Sequence, residues 1–413
     1  MKKERTYPWV VVGLLWVVAL LNYLDRQMLS TLRPTMQKDI GELVSATHFG
    51  YLMAIFLWIY GCMSPVAGII ADRVSRKWLI VVSLLVWSGV VFAMGYATTF
   101  RQLYVLRAVM GVSEALYLPA GLSLIADYHD NSTRSLAIGV HMTGLYLGQA
   151  LGGFGATIAA VGSWQSTFHL FGVVGVAYAG VLVFLLRDKP RIGPHTGLCT
   201  DSLKPRSGTF SGLRTLLTTP AFGIMLFYFA VLSLPGWASK NWLPTLFATS
   251  LRMDMAVAGP LSTITVAAAS FLGVLAGGLL SDRWIEKNFK GRVYTSAIGL
   301  GLTIPSLLLL GFGHSLLTVA GAAVCFGLGY GMFDANNMPI LCQFIAPRHR
   351  GTAYGLMNMT GVLSGALITD WMGKSTDAGH LGRDFSLLAV VVLLAMMMQI
   401  FFLKPKTTDY QDV

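Results

Sequence analysis

Two short stretches of this chain carry side chains whose types and spacing could do chemistry. Asn22-Tyr23-Leu24-Asp25-Arg26-Gln27 sets a carboxylate beside a guanidinium, and Arg107 and Glu114 stand seven residues apart. Seven residues make two helical turns, so a helix would hold Arg107 and Glu114 on one face. Both stretches fall inside long apolar runs, where an ionisable group is costly and is a functional candidate by default. Charges of both signs there offset one another, which makes their burial tolerable. Arginine grips a carboxylate or phosphate through two parallel hydrogen bonds and stays charged at any working pH. A carboxylate deprived of water can load and release a proton near neutrality. Asp25 and Glu114 are therefore candidate proton carriers, and Arg26 and Arg107 candidate anion ligands. A purely structural ion-pair network is the alternative.

A second set lies in the later half of the chain. Trp237-Ala-Ser-Lys240-Asn241-Trp242 places a lysine inside an apolar run. Two placements are open for Lys240: a third cation favouring a substrate with two acidic groups, or a chain that snorkels to the outer interface near Pro244. Asp334, Asn336 and Asn337 could hydrogen-bond hydroxyl groups, or Asp334 could pair with Lys240. His141 could titrate, although a lone helical histidine is more often simply hydrogen-bonded. The four cysteines (Cys62, Cys199, Cys325, Cys342) have no metal-ligand spacing, so no metal, disulfide or cofactor is expected. No nucleophile–base set is visible, and an enzyme is not expected. The run Gly144-xxx-Gly148-xxx-Gly152-Gly153 reads as a close-packing helix face. It is no phosphate loop, because no strand precedes it and no lysine follows.

The elements that must position these residues are membrane spans. Of 413 residues 54% are hydrophobic and 12% charged, about half the roughly 25% charge of a soluble domain. The net charge of +11 would suggest nucleic acid in a soluble protein. Here the basic residues sit in short loops and form no basic face, so no nucleic-acid partner is expected. Apolar segments long enough to span recur at about 9–32, 45–70, 78–97, 102–126, 134–161, 164–186, 220–249, 256–280, 293–311, 316–340, 350–372 and 385–403. The first follows a short basic start without a small-residue cleavage site, and so reads as a span, not a removed signal peptide. The fold class is thus all-α integral membrane with twelve helices: a six-helix bundle over 1–190, a polar linker over 191–217 and a second bundle over 218–413. With the N-terminus in the cytoplasm, 21 Lys and Arg fall on the cytoplasmic side and 6 on the other. That asymmetry puts both termini in the cytoplasm of a multi-pass protein of the inner or plasma membrane.

The halves repeat each other. Gly68-Ile-Ile-Ala-Asp72-Arg73 closes the second span, and Gly278-Leu-Leu-Ser-Asp282-Arg283 closes the eighth. Gly111, Glu114 and Pro119 match Gly331, Asp334 and Pro339, and Arg134 matches Arg350, at offsets of 210 to 220 residues. Several matches in order mark an internal repeat, and paired six-helix halves around a central site suit alternating access. The stretch Gly68-xxx-Asp72-Arg73-Val74-Ser75-Arg76-Lys77 resembles the loop signature of the major facilitator superfamily, with Ser75 where glycine is usual. That resemblance implies gating roles for Asp72, Arg73 and Arg76 and for Asp282 and Arg283 in the second half.

Within that superfamily the chain resembles the anion:cation symporters, which include sugar-acid and hexuronate carriers. The resemblance implies proton-coupled symport of a small organic anion, proton coupling by Asp25 and Glu114, and substrate contacts from Arg26, Arg107, Tyr60 and Asn358. Trp237, Lys240, Asn241 and Asn337 complete the candidate binding set. A lysine in the seventh span departs from the family pattern. The Asn-Tyr-x-Asp-Arg and Arg-to-Glu patterns are also similar to Spinster-type carriers, which implies a lipid-like substrate as the alternative, with proton-coupled efflux a third. A monomer in the bilayer, with protons and one small molecule as partners, is expected.

Overall fold

The computed structural model describes residues 2–129, 133–188, 216, 220–345, 350–405 and 407. The expected linker over 191–217 lies outside these except for Leu216, as does the side chain of Asp72. Among the described residues everything regular is helical. In a bilayer each buried amide and carbonyl must be paired within the protein, and a helix does this within one segment.

The first half comprises α1 (Lys2–Met36), α2 (Ala46–Arg73), α3 (Arg76–Met94), α4 (Phe100–Tyr128), α5 (Arg134–Gly152), α6 (Gly155–Val161) and α7 (Trp164–Leu185). The second comprises α8 (Pro220–Ser250), α9 (Met255–Ile285), α10 (Gly291–Phe312), α11 (Leu316–Phe344), α12 (Arg350–Asp377) and α13 (Leu381–Phe402). The fifth expected span is broken: α5 and α6 meet at a 42° bend. Among the described residues ten helices are long and apolar enough to cross a membrane, and the bent pair makes an eleventh. The twelfth rod, α12, is as long as its neighbours but carries Asn358, Thr369, Asp370 and Lys374. It packs between α2 and α8, so protein contacts cover its polar side. The outer helices α3, α7, α10 and α13 instead present apolar side chains such as Val82, Phe184, Leu309 and Leu394, which suits a hydrocarbon surround.

Side chains start the helices. Thr99 with Gln102, Ser163 with Ser166 and Ser315 with Thr318 form reciprocal capping boxes at α4, α7 and α11. Ser75, the departure from the superfamily signature, caps α3 by accepting the amide of Trp78 at 3.3 Å and also bonds Asp188. The loop thereby gains a helix cap in place of a flexible glycine turn.

The glycine stripe of α5 packs as its spacing suggests. A Cβ on Gly144 would stand 2.6 Å from the carbonyl oxygen of Trp16, and one on Gly152 would stand 2.7 Å from that of Leu24. Only glycine lets α1 and α5 come that close, and this contact fixes the depth of Asp25 and Arg26.

We call the end where α1 begins and α13 finishes the near end, and the opposite end the far end. Hydrogen bonds join the two bundles toward the far end. Gln27 donates to the carbonyl of Lys240 at 2.8 Å, Thr263 to that of Ala150 at 3.1 Å and Thr157 to that of Ala256 at 2.5 Å. Asp377 holds the start of α2, and Gly50 of α2 packs on the backbone of Thr369 and Gly373. The bundles are pressed together there.

Candidate functional site

Between the bundles lies a cavity of about 370 Å³. A shallower depression of about 570 Å³ beside Thr157, Gly162 and Ser166 is lined by no ionisable group and has no chemistry to offer. The central cavity draws its wall from seven helices. Tyr23 comes from α1, Leu118 from α4, Gln149 from α5, Trp237 and Lys240 from α8, Ser270 from α9, Asp334 from α11 and Asn358 from α12. Aromatic rings and polar side chains line it in equal measure among apolar residues such as Leu145 and Val266, a make-up that suits a small-molecule site.

Asp25, Arg26, Arg107 and Glu114 are brought together, but behind this wall. Glu114 is fully buried and forms an ion pair with Arg26. The Arg26 guanidinium lies among three rings, its Cζ 5.0 Å from the centroid of Tyr23, 4.9 Å from Phe56 and 4.6 Å from Tyr60. Arg107 also lies over Phe56, at 4.6 Å, and its Nη1 meets the sulfur of Met110 at 3.2 Å. Aromatic faces suit weakly hydrated guanidinium groups, so Phe56 and Tyr60 hold the two arginines without neutralising them. Among the described residues Asp25 Oδ1, Glu114 Oε1, Arg107 Nε and Asn22 Nδ2 lack a hydrogen-bond partner within 3.5 Å. The cluster therefore keeps acceptor and donor capacity in reserve.

The remaining candidates divide. Lys240, Trp237 and Asn358 line the cavity, whereas Tyr60, Arg26 and Arg107 do not. Asn241 instead donates to Thr369 Oγ1 at 2.7 Å, tying α8 to α12. Asn337 is buried between Tyr228, whose hydroxyl donates to its Oδ1 at 2.9 Å, and Asp334. Lys240 does not snorkel: its Nζ sits 4.9 Å from the Trp237 ring and 6.0 Å from the Tyr23 ring. The pairing of Lys240 with Asp334 weighed from the sequence is not made, since the two do not come within 4.0 Å. Tyr23 thus stands between two cations, Arg26 on the bundle side and Lys240 on the cavity side.

At the near end, Arg76 forms an ion pair with Asp127 of its own bundle, while Arg73, Asp282 and Arg283 are exposed. His141 is buried beside Tyr117, close to the backbone of Leu15. Among the described residues no cluster of His, Cys, Asp or Glu could hold a metal.

Sequence reasoning passed over Gln149 and the cavity rings Phe229, Tyr146, Tyr330 and Tyr354. A signal was present in helical spacing. Phe229, Ser233, Trp237 and Lys240 recur on one face of α8, and Phe326, Tyr330 and Asp334 on one face of α11.

Twelve membrane-length rods in two packed bundles around a central cavity define a carrier of the transporter class. The chain belongs to the Major Facilitator Superfamily, whose family model matches residues 15–369; it is a transporter fold and not an enzyme. A hexuronate transporter of Bacillus subtilis is 25% identical over 429 residues, covering 97% of each chain. Protein spinster homolog 1 of Xenopus laevis is 26% identical over 421 residues, covering 94% of this chain and 78% of that protein. Among solved structures, a bacterial homolog of the human lysosomal transporter Spinster, in an inward-facing, unoccupied conformation, superposes with a TM-score of 0.82 at 18% identity. It covers 98% of this chain and 99% of that one, and supports the fold.

Proposed function

We propose that this protein is a secondary active transporter that carries a small organic anion, of the sugar-acid class, together with protons by alternating access. The observation that carries the reading is the Arg26–Glu114 pair with Asp25 and Arg107, buried directly behind the Tyr23 wall of a cavity that presents Lys240. A proton on Glu114 releases Arg26 from its ion pair and frees a guanidinium for a carboxylate. An anion on Arg26 in turn leaves Glu114 without its cation and favours its protonation. Each event promotes the other, which is what symport requires.

The charge distribution supports a multi-pass protein of the inner or plasma membrane with both termini in the cytoplasm. The near end is then cytoplasmic and the bundle contacts at the far end make this an inward-open state. Asp72, Arg73 and Arg76 with Asp282 and Arg283 form the gate that would close the near end, and the protein works as a monomer. A hexuronate transporter among the relatives favours the sugar-acid class. The ring-rich wall and the spinster relative favour a second reading, a lipid-like amphiphile.

The test uses purified protein in proteoliposomes with an inward proton gradient, following lumenal pH as sugar acids, hexuronates and neutral sugars are added. Proton influx triggered only by acidic members is the expected result. Silence across the panel in liposomes with proven insertion, together with uptake of a lysolipid, would replace this reading with the second.

A further inference from the structure

The cavity holds a carboxylate that proton coupling at Asp25 and Glu114 does not use. Asp334 is exposed to the space between the bundles. Its Oδ1 accepts from Asn337 Nδ2 at 3.3 Å, and Asn337 is itself held by the buried hydroxyl of Tyr228 at 2.9 Å. That chain aims the carboxylate, and among the described residues its other oxygen has no donor. Lys240 faces the same space with its ammonium over Trp237, and neither residue forms an ion pair with the other. A fixed anion and a fixed cation, each with open valence, therefore line one cavity of about 370 Å³.

Charge complementarity decides what fits between them. A simple acid bound to Lys240 leaves Asp334 without a counter-charge once the bundles close round the substrate and water is expelled, where an unpaired charge is costly. A hydroxyl on Asp334 gives a hydrogen bond but leaves the charge unopposed. A protonated amine gives a charge-assisted bond and compensates it. Tyr146, Tyr330 and Tyr354 line the same cavity, and aromatic faces add attraction for an ammonium group. Each charge in the wall then has its opposite in the ligand.

We propose that the substrate is amphoteric, a small acid that also carries a protonated amine, which in this state, before the Tyr23 wall yields to Arg26, sets its carboxylate on Lys240 and its ammonium on Asp334. This rests on the small-organic-acid reading given above and narrows it. Asp334 is then the residue that sets specificity between plain acids and amine-bearing ones.

The experiment measures binding to the purified full chain in detergent by calorimetry. The probes are D-glucuronate, 2-amino-2-deoxy-D-glucuronate and D-glucosamine, matched in ring size. In the wild type the amino acid sugar should bind at least tenfold more tightly than either single-charge probe. In Asp334→Asn that advantage should vanish, and glucuronate, freed of the opposing carboxylate, should bind more tightly than it does to the wild type. Equal binding of the two acids by the wild type would overturn the proposal without touching the organic-acid reading, and needs no variant that must fold. Equal weakening of both acids by Asp334→Asn would also overturn it. Failure of both acids where a lysolipid binds would remove the organic-acid reading as well.

Discussion

Asp377, the last residue of α12, holds Thr47 in the first turn of α2. Its Oδ2 accepts the Thr47 amide at 2.8 Å and the Thr47 hydroxyl at 2.7 Å. The same carboxylate takes the Ser45 hydroxyl at 2.7 Å and, through Oδ1, the Ala46 amide at 2.6 Å. One carboxylate of the second bundle thus satisfies free donors at the start of a helix of the first, where the helix dipole also favours negative charge. The far end cannot open without breaking this contact.

Asp377→Asn should therefore shift the molecule toward states open at the far end. Each hydrogen bond to a charged group contributes about 1.5–3 kcal/mol, so losing the charge should move the equilibrium by roughly tenfold or more. Spin labels on α2 and α12 would read the far-end separation, and an unchanged distance distribution would disprove the latch.

The same contact fixes a pH expectation at the far end. Burial raises the proton affinity of Asp377, but the donors from Thr47 and Ser45 outweigh it and hold the carboxyl at about 2. A carboxyl depressed in the closed state stabilises that state above its ordinary value and loses the contribution as pH falls through about 2. Far-end separation should hence be insensitive to Asp377 titration between pH 5 and 8. If Asp377→Asn abolished a pH-dependent opening in that window, the latch would be a pH sensor instead.

Glu114→Gln should separate binding from coupling. The neutral amide keeps a hydrogen bond to Arg26 but cannot exchange a proton, so counterflow of substrate should persist and proton-driven accumulation should disappear. Unchanged accumulation under a pH gradient would remove Glu114 from the proton path.

Lys240→Met and Arg107→Ala test which cation meets the substrate first. Lys240 faces the cavity and Arg107 lies behind Phe56. In the state described here, Lys240→Met should weaken acid binding at least tenfold. Arg107→Ala should abolish acid binding in transport assays, where the Tyr23 wall must yield. Retained affinity for a carboxylate ligand in Arg107→Ala would take Arg107 out of the site.

Gly148→Leu should disrupt the α1–α5 contact. A Cβ there would run into the backbone of Leu20, and overpacking costs about 1–3 kcal/mol or more. A lower melting temperature in detergent is expected, with transport lost as Asp25 is displaced. A fully stable variant would show that α1 and α5 can separate freely.

The sequence by itself determined the class of protein. Apolar runs of span length, the paired Asp72-Arg73 and Asp282-Arg283 loops and the Gly144-Gly148-Gly152 stripe are local patterns, and each is fixed by the need to satisfy backbone and bury polar groups in a bilayer. The same rule made Asp25, Arg26, Arg107 and Glu114 legible, because charge in an apolar run has few structural explanations. Depth, however, is not direction. Whether Arg26 and Lys240 meet one space or two depends on where the Tyr23 ring falls between α1 and α8, and whether Lys240 pairs with Asp334 depends on how far α8 stands from α11. Asp377 gave no sign in the sequence, since its partners at Ser45 and Thr47 lie some 330 residues away. Only the packing of one bundle on the other decided these relationships, because they join residues whose nearness comes from helix contacts and not from spacing along the chain.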